Sequence, residues 1–249
     1  NIETLKQNPI FIIIGILIVI VILYVVYFYQ KSKYEEKNPV FKRLTHFGKD
    51  PETIKAAEIP VSESDSQVTL TVWIYVDNLT YKYGEEKNIM TKGQSGSGAA
   101  EQCPGIYIHP KMNNLIIKFT MKTGKLKHIL IEDFPIRKWF LLAIVVQGFQ
   151  VDFYMDGDLL FSKYLESTVK FNNGDLLLCQ EGGFHGRISC IQYFPRVVYP
   201  KLLKQKYATG PACVPWFQSL WESMVGNLGD ALGNFDIQVN IEMDPDQAE

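Results

Sequence analysis

The stretch WFLLAIVVQGFQVDFYMDGDLLFSKY, Trp139 to Tyr164, decides the fold. Its apolar blocks are short and are joined by small turn residues, the second joint being Asp156-Gly157. Asp-Gly between two such blocks is tight-hairpin chemistry, because glycine tolerates positive φ and aspartate bonds to nearby backbone. Three strands follow, WFLLAIVVQ at 139–147, FQVDFYMDG at 149–157 and DLLFSKY at 158–164.

Working outward, VTLTVWIYV at Val68–Val76 places Val68, Leu70, Val72, Ile74 and Val76 on one face and Thr69, Thr71, Trp73 and Tyr75 on the other. The second face is not polar, so it is expected to be partly covered as well. Further strand text lies at 87–93, 105–110, 113–121, 125–133, 175–180 and 184–195, with MKTGK and NNGD among the joints. No helix-length segment intervenes, so the expected class is mainly β, an antiparallel sandwich. A βαβ fold has no place for its helices. The glycine- and serine-rich stretch Gly93–Gly105 lacks GxxxxGK[ST] and a following helix pattern, and is expected to be a plain loop.

Ahead of the sandwich, Ile10–Tyr29 carries no charged side chain. It is longer than a signal h-region of about 7–15 residues, and no small-residue cleavage pattern follows it. At ~1.5 Å per residue such a helix crosses the ~30 Å hydrocarbon core of a bilayer. A single transmembrane helix is expected, with Tyr24, Tyr27 and Tyr29 toward the headgroups. Lys6 precedes it, whereas Lys31, Lys33, Lys37, Lys42 and Arg43 follow it. That bias places the large part of the chain on the cytosolic side.

The expected organisation is a transmembrane helix at 1–30, a juxtamembrane stalk at 31–66, a β-sandwich at 67–206, and a C-terminal packing segment with an acidic tail at 207–249. In the last segment Trp216, Phe217, Leu220, Trp221, Met224, Val225, Leu228 and Leu232 recur at helical spacing, and seven acids stand with no Lys or Arg. Over the 249 residues, 25 basic and 27 acidic side chains leave a formal charge of −2, which offers nucleic acid no general attraction.

Catalytic chemistry is not written in the chain. Asp152, Asp156 and Asp158 are the strand carboxylates that a glycoside hydrolase would need, but turn formation explains the last two. His109, His128 and His185 stand apart, with no metal spacing and no nucleophile beside them. Asp156 and Asp158 are also the weak candidates for a calcium ion, which takes several hard oxygens. No catalytic or cofactor-binding residue is expected. Cys103, Cys179, Cys190 and Cys213 lack CxxC spacing and allow none, one or two disulfides; Cys179 and Cys190, in apolar strand text, read as buried thiols. Asn78-Leu79-Thr80 is a glycosylation sequon, meaningful only if the domain is luminal.

Taken in order, TLTVWIYVD, NIMTKG, RKWFLLAIVVQGFQVDFYMDGDLLFS and LLLCQEGGFHGRISCIQYFPRVVYP resemble the concanavalin A-like, or laminin G-like, jelly-roll superfamily. Trp73, Trp139, Tyr154, Asp156, Gly157, Phe184, Gly186 and Ile188 fall on the places that carry the resemblance, over residues 66–205. Phe140 departs from it where related domains often have His, and the ExDxxE acid cluster of the glucanase branch is missing. The resemblance implies two curved antiparallel sheets; by size Trp73 and Trp139 are expected to fill the ~10 Å space between them. Function stays open, since the fold serves lectins, adhesion modules, enzymes and structural proteins.

Anchor, stalk and jelly roll together also resemble minor capsid or inner-membrane proteins of large icosahedral DNA viruses. That resemblance implies a non-enzymatic structural protein tethering an internal virion membrane to the protein shell. Its partners would be the lipid bilayer, through Ile10–Tyr29, and neighbouring capsid proteins, with the large domain facing the capsid. The alternative is a membrane-anchored carbohydrate-binding or adhesion module, with a glycan as its partner.

Overall fold

The computed structural model describes residues 9–37, 39–42, 45–61, 66–94 and 101–213. Its first element is helix α1, Pro9–Lys37, whose stretch Phe11–Gln30 is long and apolar enough to cross a membrane and buries nothing against the protein. Thirteen strands follow: β1 (Val40–Phe41), β2 (His46–Phe47), β3 (Glu52–Ile54), β4 (Gln67–Val76), β5 (Lys87–Gly93), β6 (Gln102–Ile108) and β7 (Leu115–Thr120), then β8 (Leu126–Ile131), β9 (Trp139–Gln147), β10 (Gln150–Met155), β11 (Asp158–Tyr164), β12 (Leu176–Leu178) and β13 (Gly186–Phe194). Helix α2, Pro200–Thr209, ends the described part, its Pro200 set in the first turn where a missing N–H costs nothing.

The strands form two antiparallel sheets. One has seven strands in the order β1-β13-β4-β9-β10-β11, with β2 also on β13; the other has six, β3-β12-β5-β6-β7-β8. This is the antiparallel jelly-roll sandwich that the strand text predicts. The alternation in β4 sends Val68, Leu70, Val72, Ile74 and Val76 into the core, where they meet Phe140, Leu142, Ile144 and Val146 of β9 and Ile106, Ile117 and Phe119 of the facing sheet. The Asp156-Gly157 joint is a two-residue turn between β10 and β11, with φ of 55° and 85°. Both angles are positive, as a type I′ hairpin requires.

The second face of the seven-stranded sheet is covered, as its composition predicts. Ala143, Val145, Tyr154 and Phe194 pack there with Val198 and with Leu203 of α2. Burial on both faces explains why WFLLAIVVQ shows no alternation. The covering element, α2, straddles the expected boundary at residue 206. Trp73 lies on this face too, stacked on Tyr207 with ring centroids 5.6 Å apart, and Trp139 leans on Tyr75 at 5.5 Å. The tryptophans therefore do not fill the space between the sheets. Because Val72 and Ile74 point inward, the pleat turns Trp73 outward.

Three further differences have local causes. Residues 31–66, expected as a stalk, hold the end of α1 and the strands β1, β2 and β3, which pair with β13 and β12. Pairings of two or three residues are too short to show a period. Strand β6 begins at Gln102, inside the stretch expected to be loop. Cys190 and Cys213 are disulfide-bonded, whereas Cys103 and Cys179 are free and buried; Cys190 has φ of 53°, at the point where the β13–β4 register shifts. The helical pattern at Trp216–Leu232 and the acidic tail lie outside the described residues.

Candidate functional site

One end of the sandwich is built by three separate segments: the turn after β2, the loop that leaves β4 at Asp77, and the start of β13. Glycines let them approach closely. A Cβ on Gly186 would lie 2.1 Å from the Tyr75 carbonyl oxygen, and one on Gly183, whose φ is 52°, would lie 1.9 Å from the Gly48 oxygen. Backbone bonds lock the contact, with Gly48 N–H donating to Gly186 O at 2.8 Å, Phe184 N–H to Gly48 O at 2.9 Å and Asp77 N–H to His185 O at 3.0 Å. Phe184 and Gly186, two of the positions that carry the family resemblance, thus shape this end of the molecule.

A cleft of about 290 Å³ opens there, lined by Phe47, Lys49, Asp50, Asp77, His185, Gly186 and Arg187. Phe47 is 59% exposed. The Lys49 ammonium sits 4.5 Å from the Tyr81 ring centroid, and the Arg187 guanidinium lies 5.5 Å from that of Tyr75. Among the described residues neither the Asp50 nor the Asp77 carboxylate has a hydrogen-bonding or ion-pairing partner. Open carboxylates, a guanidinium and an exposed aromatic ring suit a polyhydroxylated ligand, which takes hydrogen bonds at its edges and an aromatic surface on its apolar face. Leu79, from the same loop, lines a second cleft of about 520 Å³ together with Lys111, Met112, Asn113, Asn114, Glu132, Asp133 and Ile136.

Asn78 braces the loop between the clefts. Its Oδ1 accepts from Thr80 N–H at 3.2 Å, Thr80 Oγ1 at 2.9 Å and Tyr81 N–H at 3.3 Å, while its Nδ2 donates to His185 Nδ1 at 2.5 Å. The sequon asparagine thus holds the turn that carries it and ties that turn to His185.

The carboxylates marked from sequence lie elsewhere. Asp156 and Asp158 flank the β10–β11 turn, three strands along the sheet from β13. Asp156 accepts from Leu141 N–H at 2.9 Å and Asp158 pairs with Lys204 at 2.8 Å, while Asp152 accepts from Gln150 Nε2 at 2.8 Å. His109 Nδ1 caps its own turn, accepting from the N–H groups of Lys111 and Met112 at 3.2 Å each. Desolvation, and then the Lys118 charge, hold the pKa of His128 below its ordinary value, against the pull of Glu86. Burial pushes both free thiols, Cys103 and Cys179, up to about 12, which keeps them protonated and poor nucleophiles. Among the described residues no group of three or more His, Cys, Asp or Glu is placed to hold a metal ion. The three carboxylates hold turns and pair charges.

Of the residues singled out from sequence, His185 and Gly186 reach the cleft. Phe47, Lys49, Asp50 and Arg187 carry no such mark, since they stand in two segments that only the fold brings together. Asp77 and Arg187 fall inside TLTVWIYVD and LLLCQEGGFHGRISCIQYFPRVVYP without being among the positions that carry the resemblance.

Residues 50–201 match the family described as Laminin_G_3, concanavalin A-like lectin/glucanases superfamily. No curated protein matches the chain. Among solved structures, the botulinum neurotoxin type G receptor binding domain is 18% identical with a TM-score of 0.45, over 66% of this chain and 46% of that one. The botulinum neurotoxin serotype D binding domain is 13% identical with a TM-score of 0.49, over 68% of this chain and 52% of that one. The chain thus spans about half the length of these structures.

Proposed function

The chain belongs to the concanavalin A-like lectin/glucanases superfamily, and from that premise we propose that it is a membrane-anchored, non-enzymatic carbohydrate-binding or adhesion module whose ligand enters the cleft between Phe47, Asp77 and Arg187. The observation that carries this reading is the pair of carboxylates, Asp50 and Asp77, left without a partner among the described residues and set beside an exposed aromatic ring. Asp152, Asp156 and Asp158 hold turns or pair charges elsewhere on the sandwich; these two line an open cleft. At about 290 Å³ the cleft stands at the small end of ligand pockets, ~300–1,000 Å³, which fits a terminal sugar better than a long chain. Helix α1 would fix the module in lipid through burial of its apolar side chains.

A glycan array probed with the full chain in lipid nanodiscs tests the proposal. Binding to a restricted set of glycans, lost in Asp77→Ala and Phe47→Ala variants that keep the wild-type circular dichroism spectrum, is the expected outcome. An array without hits, or hits that both variants retain, refutes it. Calcium enters as an arm of the same experiment: binding that needs calcium and disappears on changing Asp156 and Asp158 would move the site to the β10–β11 turn.

A second reading, a minor capsid protein tethering an internal viral membrane to the protein shell from the cytosolic side, has one observation in its favour. Lys31, Lys33, Lys37, Lys42 and Arg43 follow the apolar stretch, against Lys6 before it, a bias that favours a cytosolic domain. The disulfide bonding of Cys190 and Cys213 weighs against it, because reducing compartments keep thiols free. Protease protection in sealed vesicles, read with non-reducing mass mapping of the cysteines, separates the two. A cytosol-facing domain with four free thiols supports the tether, and a protected domain with a disulfide supports the adhesion module.

A further inference from the structure

Strand β11 ends the seven-stranded sheet, and β10 is its one neighbour among the described strands. Leu159, Leu160 and Tyr164 are 53%, 44% and 74% exposed. Free edges in monomeric proteins are usually blunted by charges, prolines or a covering segment. Here the middle of the edge is Leu159-Leu160-Phe161-Ser162, and the charges stand outside it, Asp158 before and Lys163 after.

The ladder shows which backbone groups are open. The two-residue turn makes Met155 and Asp158 a hydrogen-bonded pair, so the N–H and C=O of Leu159 face away from β10. At the other end Leu165 N–H donates to Phe149 O at 2.7 Å. Counting back by twos from Leu165 leaves Ser162 and Tyr164 facing outward as well. The register shift between Phe153 and Tyr154 accounts for the change of parity between the two ends.

We propose that β11 is the contact between two copies of this chain, joined antiparallel, edge to edge, across a two-fold axis. The occupant is a second copy because the strand is complementary to itself. Pairing the open backbone groups of Leu159 with those of Ser162 in the second copy sets Asp158 opposite Lys163, and symmetry repeats the ion pair at the other end. The two seven-stranded sheets become one continuous sheet, the exposed leucines lose their contact with water at its centre, and two anchors lie on one assembly. This inference is independent of what the cleft binds.

The experiment is the molar mass of the full chain in detergent micelles, by light scattering and sedimentation over a concentration series. The wild type is a dimer. Asp158→Lys or Lys163→Asp alone sets like charges together twice and weakens the dimer by about tenfold or more, from two cross-strand pairs each reversed from favourable to unfavourable. The double exchange, Asp158→Lys with Lys163→Asp, restores wild-type affinity. Lys204→Ala, which removes the partner that Asp158 has within its own chain, leaves the dimer intact. The anchor is present in every variant, so differences among them report on β11. A monomeric wild type overturns the proposal, as does a dimer insensitive to both single reversals or a dimer that survives Ser162→Pro with the fold retained.

Discussion

Lys118 shows how the sandwich handles a charge that sequence alone would place in solvent. Its side chain is 1% exposed, paired with Glu86 at 2.5 Å and lying 4.3 Å from the Tyr107 ring centroid. Glu86 is 27% exposed, so the two partners are not equivalent. Removing the cation leaves an anion that water still reaches, whereas removing the anion leaves a cation with almost no water. Glu86→Gln should therefore cost more than Lys118→Met, about 3 kcal/mol or more against roughly 1–2 kcal/mol, by chemical denaturation in micelles. Equal losses would mean that Lys118 finds other solvation. Lys206 gives a pH dependence. Desolvation, and then the Arg196 charge, lower its pKa to about 8 from 10.5. Between those values the unfolded chain holds more protons than the folded one, so stability contributed by this group rises with pH, and below about pH 8 the penalty of burying its charge is fully present. Lys206→Met should flatten the rise in melting temperature across that alkaline window while leaving the acid limb unchanged.

Helix α2 is the element on which the covered face depends. Leu203 is fully buried on Ala143, Val145 and Phe194, and Tyr207 stacks on Trp73. Leu203→Ala should cost about 2–5 kcal/mol, the range for a buried leucine whose surroundings relax only in part; a loss under 1 kcal/mol in the same denaturation assay would mean that α2 is not integral to the fold. The long strands are legible in the amino-acid order itself, because β4 alternates over its whole length and Asp156-Gly157 admits hardly anything but a hairpin. Strands β1, β2 and β3 are not, since pairs of two or three residues owe their existence to neighbours remote in sequence. The direction of Trp73 is legible too, because the parity that sends Val72 and Ile74 inward sets it on the opposite face, although its size alone suggests the space between the sheets. The cleft is the least legible part. Phe47, Asp50, Asp77 and Arg187 carry no shared motif, and the signal that does survive, Phe184 and Gly186, describes the close packing beneath the site and not the groups that face a ligand.

At the scale of the whole molecule, the chain joins a helix of membrane-spanning length to a sandwich of the concanavalin A-like superfamily. At the loop end of the sandwich two carboxylates without partners among the described residues share a cleft with a guanidinium. On the proposed reading, a membrane-held module with an open polar cleft would serve recognition at a surface, and an edge such as β11 would let it act in pairs, raising avidity for repeated ligands. The central claim, that the Phe47–Asp77–Arg187 cleft is where a sugar binds, is tested most directly by calorimetric titration of an oligosaccharide found on the array into the full chain in nanodiscs. Saturable binding by the wild type, weakened about tenfold or more by Arg187→Ala and by Asp77→Asn through loss of charge-assisted hydrogen bonds, is the predicted result. Equal heats and equal affinities for wild type and both variants would contradict it.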